Sequence, residues 1–214
     1  MLLEKFVKYS RQLSLNDFIR KVLYFLFIKI KDFFTLYRKF KAWLYFKRFD
    51  VHLGEGILFR GLTFKVKVGR DFRIYDNVIF EFSSNSMFSV GEHCVISYGV
   101  LIACNESITI GDHVQIGEYS SVRDTTHSYK STDEPMKFQK DISAEISIGN
   151  DVWIGRGCII MPGTTIGNGV IIGSNSVVKG TLEDYGVYAG APARLIKKRI
   201  FEVNNLQSSL GMMS

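Results

Sequence analysis

From Ile148 to Val178 an aliphatic residue recurs at every sixth position: Ile148, Ile154, Ile160, Ile166, Ile172 and Val178. Glycine follows four of them directly, at Gly149, Gly155, Gly167 and Gly173. An amphipathic helix repeats every 3.6 residues and a lone alternating strand every two, so neither produces this beat. A short strand and a tight corner do, if each strand sends one aliphatic inward and each corner holds a residue tolerant of positive φ, a role suited to Gly and Asn. Val90, Ile96 and Ile102 keep the same phase, and a two-residue shift carries it to Ile110, Ile116 and Val122. Upstream, Leu62, Val68, Ile74 and Phe80 keep it before a slip around Ser83–Ser86. Three hexads close one triangular coil, so the chain predicts a parallel β-helix of about five coils stacked at the strand spacing of ~4.8 Å.

The first fifty residues have a different composition. They carry twelve Lys and Arg against four Asp and Glu, whereas the remainder has fifteen against seventeen, so the excess positive charge belongs to this segment. Fourteen of the 29 aromatic residues also fall here. Neither Gly nor Pro interrupts Asp17 to Phe49. Phe18, Val22, Phe25, Phe33, Leu36, Phe40 and Trp43 share a broad helical face, opposite Arg20, Lys21, Lys31, Arg38 and Lys39. The uncharged run Val22–Ile28 is far shorter than the ~20 residues that span a bilayer. A basic, aromatic-rich amphipathic arm over 1–50 is expected to lie on an anionic membrane surface or to pack against protein. So many bulky apolar residues suit lipid better than the phosphates of a nucleic acid.

The opening MLLEKFVKYSRQ has no apolar core or small-residue cleavage site of a secretory signal. Cys94, Cys104 and Cys158 are odd in number and lack metal-type spacing; Cys94 and Cys158 sit inside hexads as small buried residues. The expected location is cytoplasmic, peripheral on the inner membrane face. The β-helix domain is expected over 51–199. A loop at 128–145, without the six-residue beat, leaves its wall. LIKKRI is expected to form a short basic C-terminal helix after the Gly190–Arg194 turn, and residues 200–214 a frayed tail.

His127 stands where the chain leaves the wall, three residues after Asp124. Imidazole can take up a proton near neutral pH, and a nearby carboxylate can hold the ring. His93 and His113, at hexad corners, are expected to be solvated.

The run IGNDVWIGRGCIIMPGTTIGNGVIIGSNSVV, followed by YGVYAGAPARLIKK, resembles the left-handed β-helix hexapeptide acyltransferases, in particular the galactoside and maltose O-acetyltransferases and those acting on bacterial surface polysaccharides. The match is good over residues 90–198, loose over 54–89 and absent from 1–50. The resemblance implies left-handed coiling, where general crossover rules favour the right-handed form. It also implies a homotrimer with active sites between subunits, acetyl-CoA as co-substrate, a saccharide acceptor and no metal. His127 occupies the position of the family's catalytic histidine, a general base toward a sugar hydroxyl. Arg156 resembles the oxyanion donor, acting through its backbone N–H, and Asp124 is the candidate orienting partner of His127. Trp153, Ser174, Lys179 and Arg194 resemble cofactor-binding positions, with Lys197 and Lys198 as further phosphate contacts. Ser97 and Asn105 fall on the acceptor side, where galactoside enzymes carry Asn and Asp. Within the same fold, serine or amino-sugar N-acetyltransferases and a γ-type carbonic anhydrase are the alternatives. A non-catalytic membrane-bound scaffold is the alternative outside enzymes.

Overall fold

A computed structural model describes residues 15–61 and 65–199. Leu62, the side chain of Phe18 and the proposed tail over 200–214 lie outside the described residues. The chain divides into two compact units, residues 1–49 and 50–214.

The first unit contains a 32-residue helix, α1 (Leu15–Phe46). Ile19, Leu23, Leu26, Ile30, Phe33, Tyr37, Phe40 and Leu44, spaced alternately four and three residues apart, form one continuous stripe along it. All eight are exposed. Trp43 stacks on Phe49 with ring centroids 6.1 Å apart. Among the described residues no helix is long and apolar enough to cross a membrane.

The second unit is a three-faced parallel solenoid. Strands of two to six residues stack into one face of eight strands and two of six. In chain order the coil passes from the first face (Arg73–Ile74) to the second (Ile79–Phe82) and then to the third (Met87–Val90). On the first face Ile74, Ile96, Ile116, Ile154 and Ile172 are successive register partners. Ile102, Val122, Ile160 and Val178 do the same on the second, and Val90, Ile110, Ile148 and Ile166 on the third. All thirteen are buried. The six-residue beat is therefore the inward-pointing position of each short strand. Six coils are present rather than five, because His52–Leu53 and Leu58–Arg60, which lie upstream of the legible beat, complete a first coil with Lys65–Val68. Aromatic rings fill this end of the core: Phe59 stacks on Phe80 at 5.1 Å, and Phe80 meets Phe88 edge-on.

Left-handed corner residues turn the chain between faces, and they include His93, His113, Tyr119, Asp151 and Tyr185 as well as Gly and Asn. Side-chain oxygens from the next coil cap the corner amides: Asp112 accepts from the Glu92 N–H, Asn150 from Asp112 and Asn168 from Asn150, at 2.7–2.9 Å. Gly111 is required at such a corner, since a Cβ there would lie 2.8 Å from the carbonyl carbon of Gly149. His93 and His113 are not merely solvated corners. Their rings stack 5.1 Å apart, and His93 Nδ1 lies 3.1 Å from Asp71.

The expected C-terminal helix is instead a strand, Ala193–Lys198. It pairs antiparallel with Gly186–Gly190 after the expected turn. The last strand of the first face would otherwise present an open row of N–H and C=O groups, and the basic strand covers it. The three cysteines are buried and free.

Candidate active site

Where the second face turns into the third, the fourth coil leaves the wall. Thr125–Thr126 pairs antiparallel with Ile142–Ser143, with Thr126 opposite Ile142. The next opposed pair along this ribbon is His127 and Asp141, and the two side chains meet: His127 Nδ1 lies 2.7 Å from Asp141 Oδ1. A carboxylate only accepts, so Nδ1 carries the proton and the Nε2 lone pair is left to face outward. The His127 side chain is 83% exposed. Beyond the ribbon the loop is folded back on itself by Gln139, whose side-chain amide donates to the carbonyls of Ser131 and Glu134.

Asp124 does not orient His127. Its side chain turns inward and is fully buried. Its carboxylate accepts hydrogen bonds from the backbone N–H groups of Asn105 (2.7 Å), Glu106 (2.8 Å) and Ser107 (2.9 Å). Three amides of a neighbouring corner are satisfied by one buried carboxylate. Asp124 builds the edge from which His127 projects, and Asp141 takes the part expected of Asp124. Sequence reading missed Asp141 because cross-strand pairing in an excursion leaves no six-residue signal.

A cleft of about 310 Å³ opens beside the dyad, lined among others by Ser83, Ala103, Asn105, Arg123, Thr125 and Asp141. Asn105 is tied by its side-chain amide to the Ser143 hydroxyl and by its carbonyl oxygen to Ser83. Cys104 also lines the cleft. Burial pushes its thiol up to about 12, so near neutral pH it is protonated and no nucleophile. Among the described residues no three His, Cys, Asp or Glu side chains are grouped to hold a metal ion.

The other predicted positions lie elsewhere on the prism. Ser97, Arg156 and Ser174 occupy corners between the first and second faces, as the flanking strands show. The Arg156 side chain lies over the Tyr119 ring and 3.7 Å from Glu118, and its backbone N–H has no hydrogen-bond partner among the described residues. Trp153 projects from the first face, 55% exposed, beside a second cleft of about 380 Å³ that His113, Asp151 and Arg199 help to line. Lys179 is exposed on the same edge as His127. Arg194 is exposed in the terminal hairpin, where Lys198 is already engaged by Glu183 at 2.9 Å. The structure thus brings His127, Asp141 and Asn105 together. It places Ser97 and Arg156 across the second face from them, whose longest strands, of four residues, span ~13 Å at 3.3 Å per residue.

Residues 145–180 match the family model for the bacterial transferase hexapeptide (six repeats). The chain is 31% identical over 159 residues to a putative lipopolysaccharide biosynthesis O-acetyl transferase, WbbJ, of Escherichia coli K12, covering 71% of this chain and 77% of that protein. It is 32% identical over 151 residues to a probable acetyltransferase of Mycobacterium tuberculosis, covering 70% of this chain; it spans 50% of that relative's length. A hexapeptide-repeat acetyltransferase from Vibrio cholerae, solved with acetyl-CoA, superposes with a TM-score of 0.50 at 25% identity, over 70% of this chain and 72% of that one. Repeat, architecture and relatives agree: the chain belongs to the bacterial hexapeptide-repeat acetyltransferases, whose coils are those of the left-handed β-helix.

Proposed function

We propose that this protein transfers the acetyl group of acetyl-CoA to a sugar hydroxyl of a surface-glycan precursor. The observation that carries the reading is the His127–Asp141 dyad at the mouth of the cleft. The similarity to the E. coli lipopolysaccharide biosynthesis O-acetyl transferase supports the acceptor class, and the complex of the Vibrio enzyme supports the donor.

His127 Nε2 takes the proton of the attacking hydroxyl while Asp141 holds the ring by Nδ1 and stabilises the imidazolium. The hydroxyl oxygen bonds to the thioester carbonyl carbon, and the resulting oxyanion is held by backbone N–H. Collapse breaks the C–S bond, and the proton on His127 goes to the departing thiolate. The ester and free CoA are the products. Asp141 acts here as a positioning residue. Asp141→Asn is expected to lower kcat roughly tenfold to a hundredfold, less than the 10²–10⁴ carried by the base itself. KM for acetyl-CoA should stay unchanged, and Asp141→Glu should restore part of the rate. An Asn variant with wild-type kcat would remove Asp141 from the mechanism.

The Arg156 N–H is the proposed oxyanion donor. One chain cannot aim it and His127 at a single thioester, because the second face separates them. A homotrimer answers this by setting the first–second edge of one copy beside the second–third edge of the next. In that groove Trp153, Ser174, Lys179 and Arg194 contact CoA, with Arg194 meeting phosphate.

The helical arm fits an anionic membrane surface. Its apolar stripe is exposed, while Arg20, Lys21, Lys31, Arg38 and Lys39 supply positive charge on the opposite side, each worth ~1 kcal/mol near anionic lipid. The arm supports a proposed position at the inner membrane face, where a lipid-linked glycan would be presented. Full-length protein should co-sediment with vesicles containing 30 mol% phosphatidylserine at low salt and be released as salt is raised. Protein lacking residues 1–49 should remain in the supernatant. Full-length protein that ignores such vesicles overturns this placement.

A further inference from the structure

The second face carries an outward column in strict register: Arg60 pairs with Glu81, Glu81 with Ala103, and Ala103 with Arg123. Arg60 and Glu81 form a close ion pair. Arg123 reaches Glu81 only at 3.9 Å, across the alanine between them. Successive strands are ~4.8 Å apart, so a one-carbon side chain at that rung leaves a notch between two long ones. The notch is part of the cleft already described, and its polar wall (Ser83, Asn105 and Thr125) runs directly to Asp141. Ser83 and Asn105 are fixed to each other, and Ser143 bonds both Asn105 and Thr125, so the wall is preorganised.

Two cations, Arg60 and Arg123, and two anions, Glu81 and Asp141, line the notch, and they are not equally engaged. Glu81 is bonded closely by Arg60, and Asp141 Oδ1 accepts a hydrogen bond from the His127 ring. The guanidinium of Arg123, its side chain 44% exposed, comes no nearer than 3.9 Å to Glu81 and makes no hydrogen bond among the described residues, which leaves its N–H donors for a ligand beside the wall. A planar guanidinium with free parallel donors is suited to a carboxylate or a phosphate. A neutral sugar would leave that charge desolvated without a partner, which costs affinity.

We propose that this notch binds an anionic substituent of the acceptor, a sugar carboxylate or a sugar phosphate, with Arg123 as its partner, so that the acceptor is an acidic saccharide. This rests on the transferase reading for the word acceptor, but the binding itself does not depend on turnover.

The test is a set of binding titrations, followed by NMR, with methyl glucoside, methyl glucuronoside, glucose 1-phosphate and glucose 6-phosphate. Wild-type protein, Arg123→Gln and Arg123→Lys are compared, with thermal melts confirming that each variant is folded. At least one of the acidic sugars should bind tenfold or more tightly than methyl glucoside; which one does separates carboxylate from phosphate. Arg123→Gln should abolish the preference, and Arg123→Lys should keep part of it. Equal affinity for neutral and acidic sugars in the wild type overturns the proposal. So does a preference that survives Arg123→Gln, or a Gln variant that melts earlier with selectivity intact, which would make Arg123 a rung of the ladder only. A parallel assay with labelled acetyl-CoA keeps the two ideas apart. Selective binding without any transfer would sink the transferase reading and leave the notch standing, whereas transfer to neutral glycans alone would do the reverse.

Discussion

His127→Ala is expected to reduce acetyl transfer about 10²–10⁴-fold, the contribution of a positioned general base. The loss should appear in kcat, with acetyl-CoA affinity and thermal stability near wild type. The physical reason for the split is the location of the ring. It is 83% exposed and its one side-chain partner among the described residues is Asp141, itself half exposed on a projecting ribbon, so removing it opens no cavity and strands no buried polar group. The measurement is transfer of labelled acetyl to a saccharide mixture, alongside calorimetric titration with acetyl-CoA. A variant that transfers at the wild-type rate would leave the dyad without a catalytic role.

Asp124→Ala should act in the opposite manner, on the fold before the chemistry. Three backbone N–H groups, those of Asn105, Glu106 and Ser107, lose their acceptor inside the wall. An unsatisfied buried donor costs ~1–3 kcal/mol; Ser107 is buried whereas Asn105 and Glu106 are exposed residues whose amides water can partly serve, so a loss of about 2–5 kcal/mol is expected, read as a large fall in denaturation midpoint. Asp124→Asn keeps one acceptor oxygen but turns an NH₂ group toward the amides, and should fall between the two. If Asp124→Asn were fully stable but inactive, Asp124 would belong to the catalytic apparatus and the assignment of Asp141 would be wrong.

The contrast between these two aspartates shows what the sequence could reveal. Ile96, Ile116, Ile154 and their partners are legible because a solenoid repeats one local rule, and the inward position returns with each strand. Asp124 also obeys that rule: it holds the inward position two residues after Val122, and only the identity of its hydrogen-bond donors was hidden. Asp141 obeys a different rule, antiparallel pairing within an excursion, and nothing in the hexad phase points to it. The same limit explains Ala193–Lys198. Its basic stretch has the local composition of a helix end, but the open edge of the final coil decides its conformation, and that edge is a tertiary fact. The first coil was missed for a third reason. Gly56 and Gly61 turn its corners at positive φ, but six and twelve residues before Leu62 stand Gly56 and Asp50, so no aliphatic carries the beat into its first two strands. The Arg60–Glu81–Ala103–Arg123 column could be read only once the coil count and register were known, since its members are spaced by 21, 22 and 20 residues.

Positions on different edges acquire a common purpose only through assembly. Ser97, Arg156 and Ser174 on one edge, and His127, Asp141 and Lys179 on another, make chemical sense together if two copies share each site.

The crystal structure of the full-length protein with CoA bound tests this most directly, through the distance from His127 Nε2 to the cofactor sulfur. The account predicts a separation of about 5 Å or less, the reach of one intervening hydroxyl, with the Arg156 N–H of an adjacent copy facing the same atom. CoA held within one chain, or a His127 ring turned away from the sulfur into bulk solvent, would contradict it.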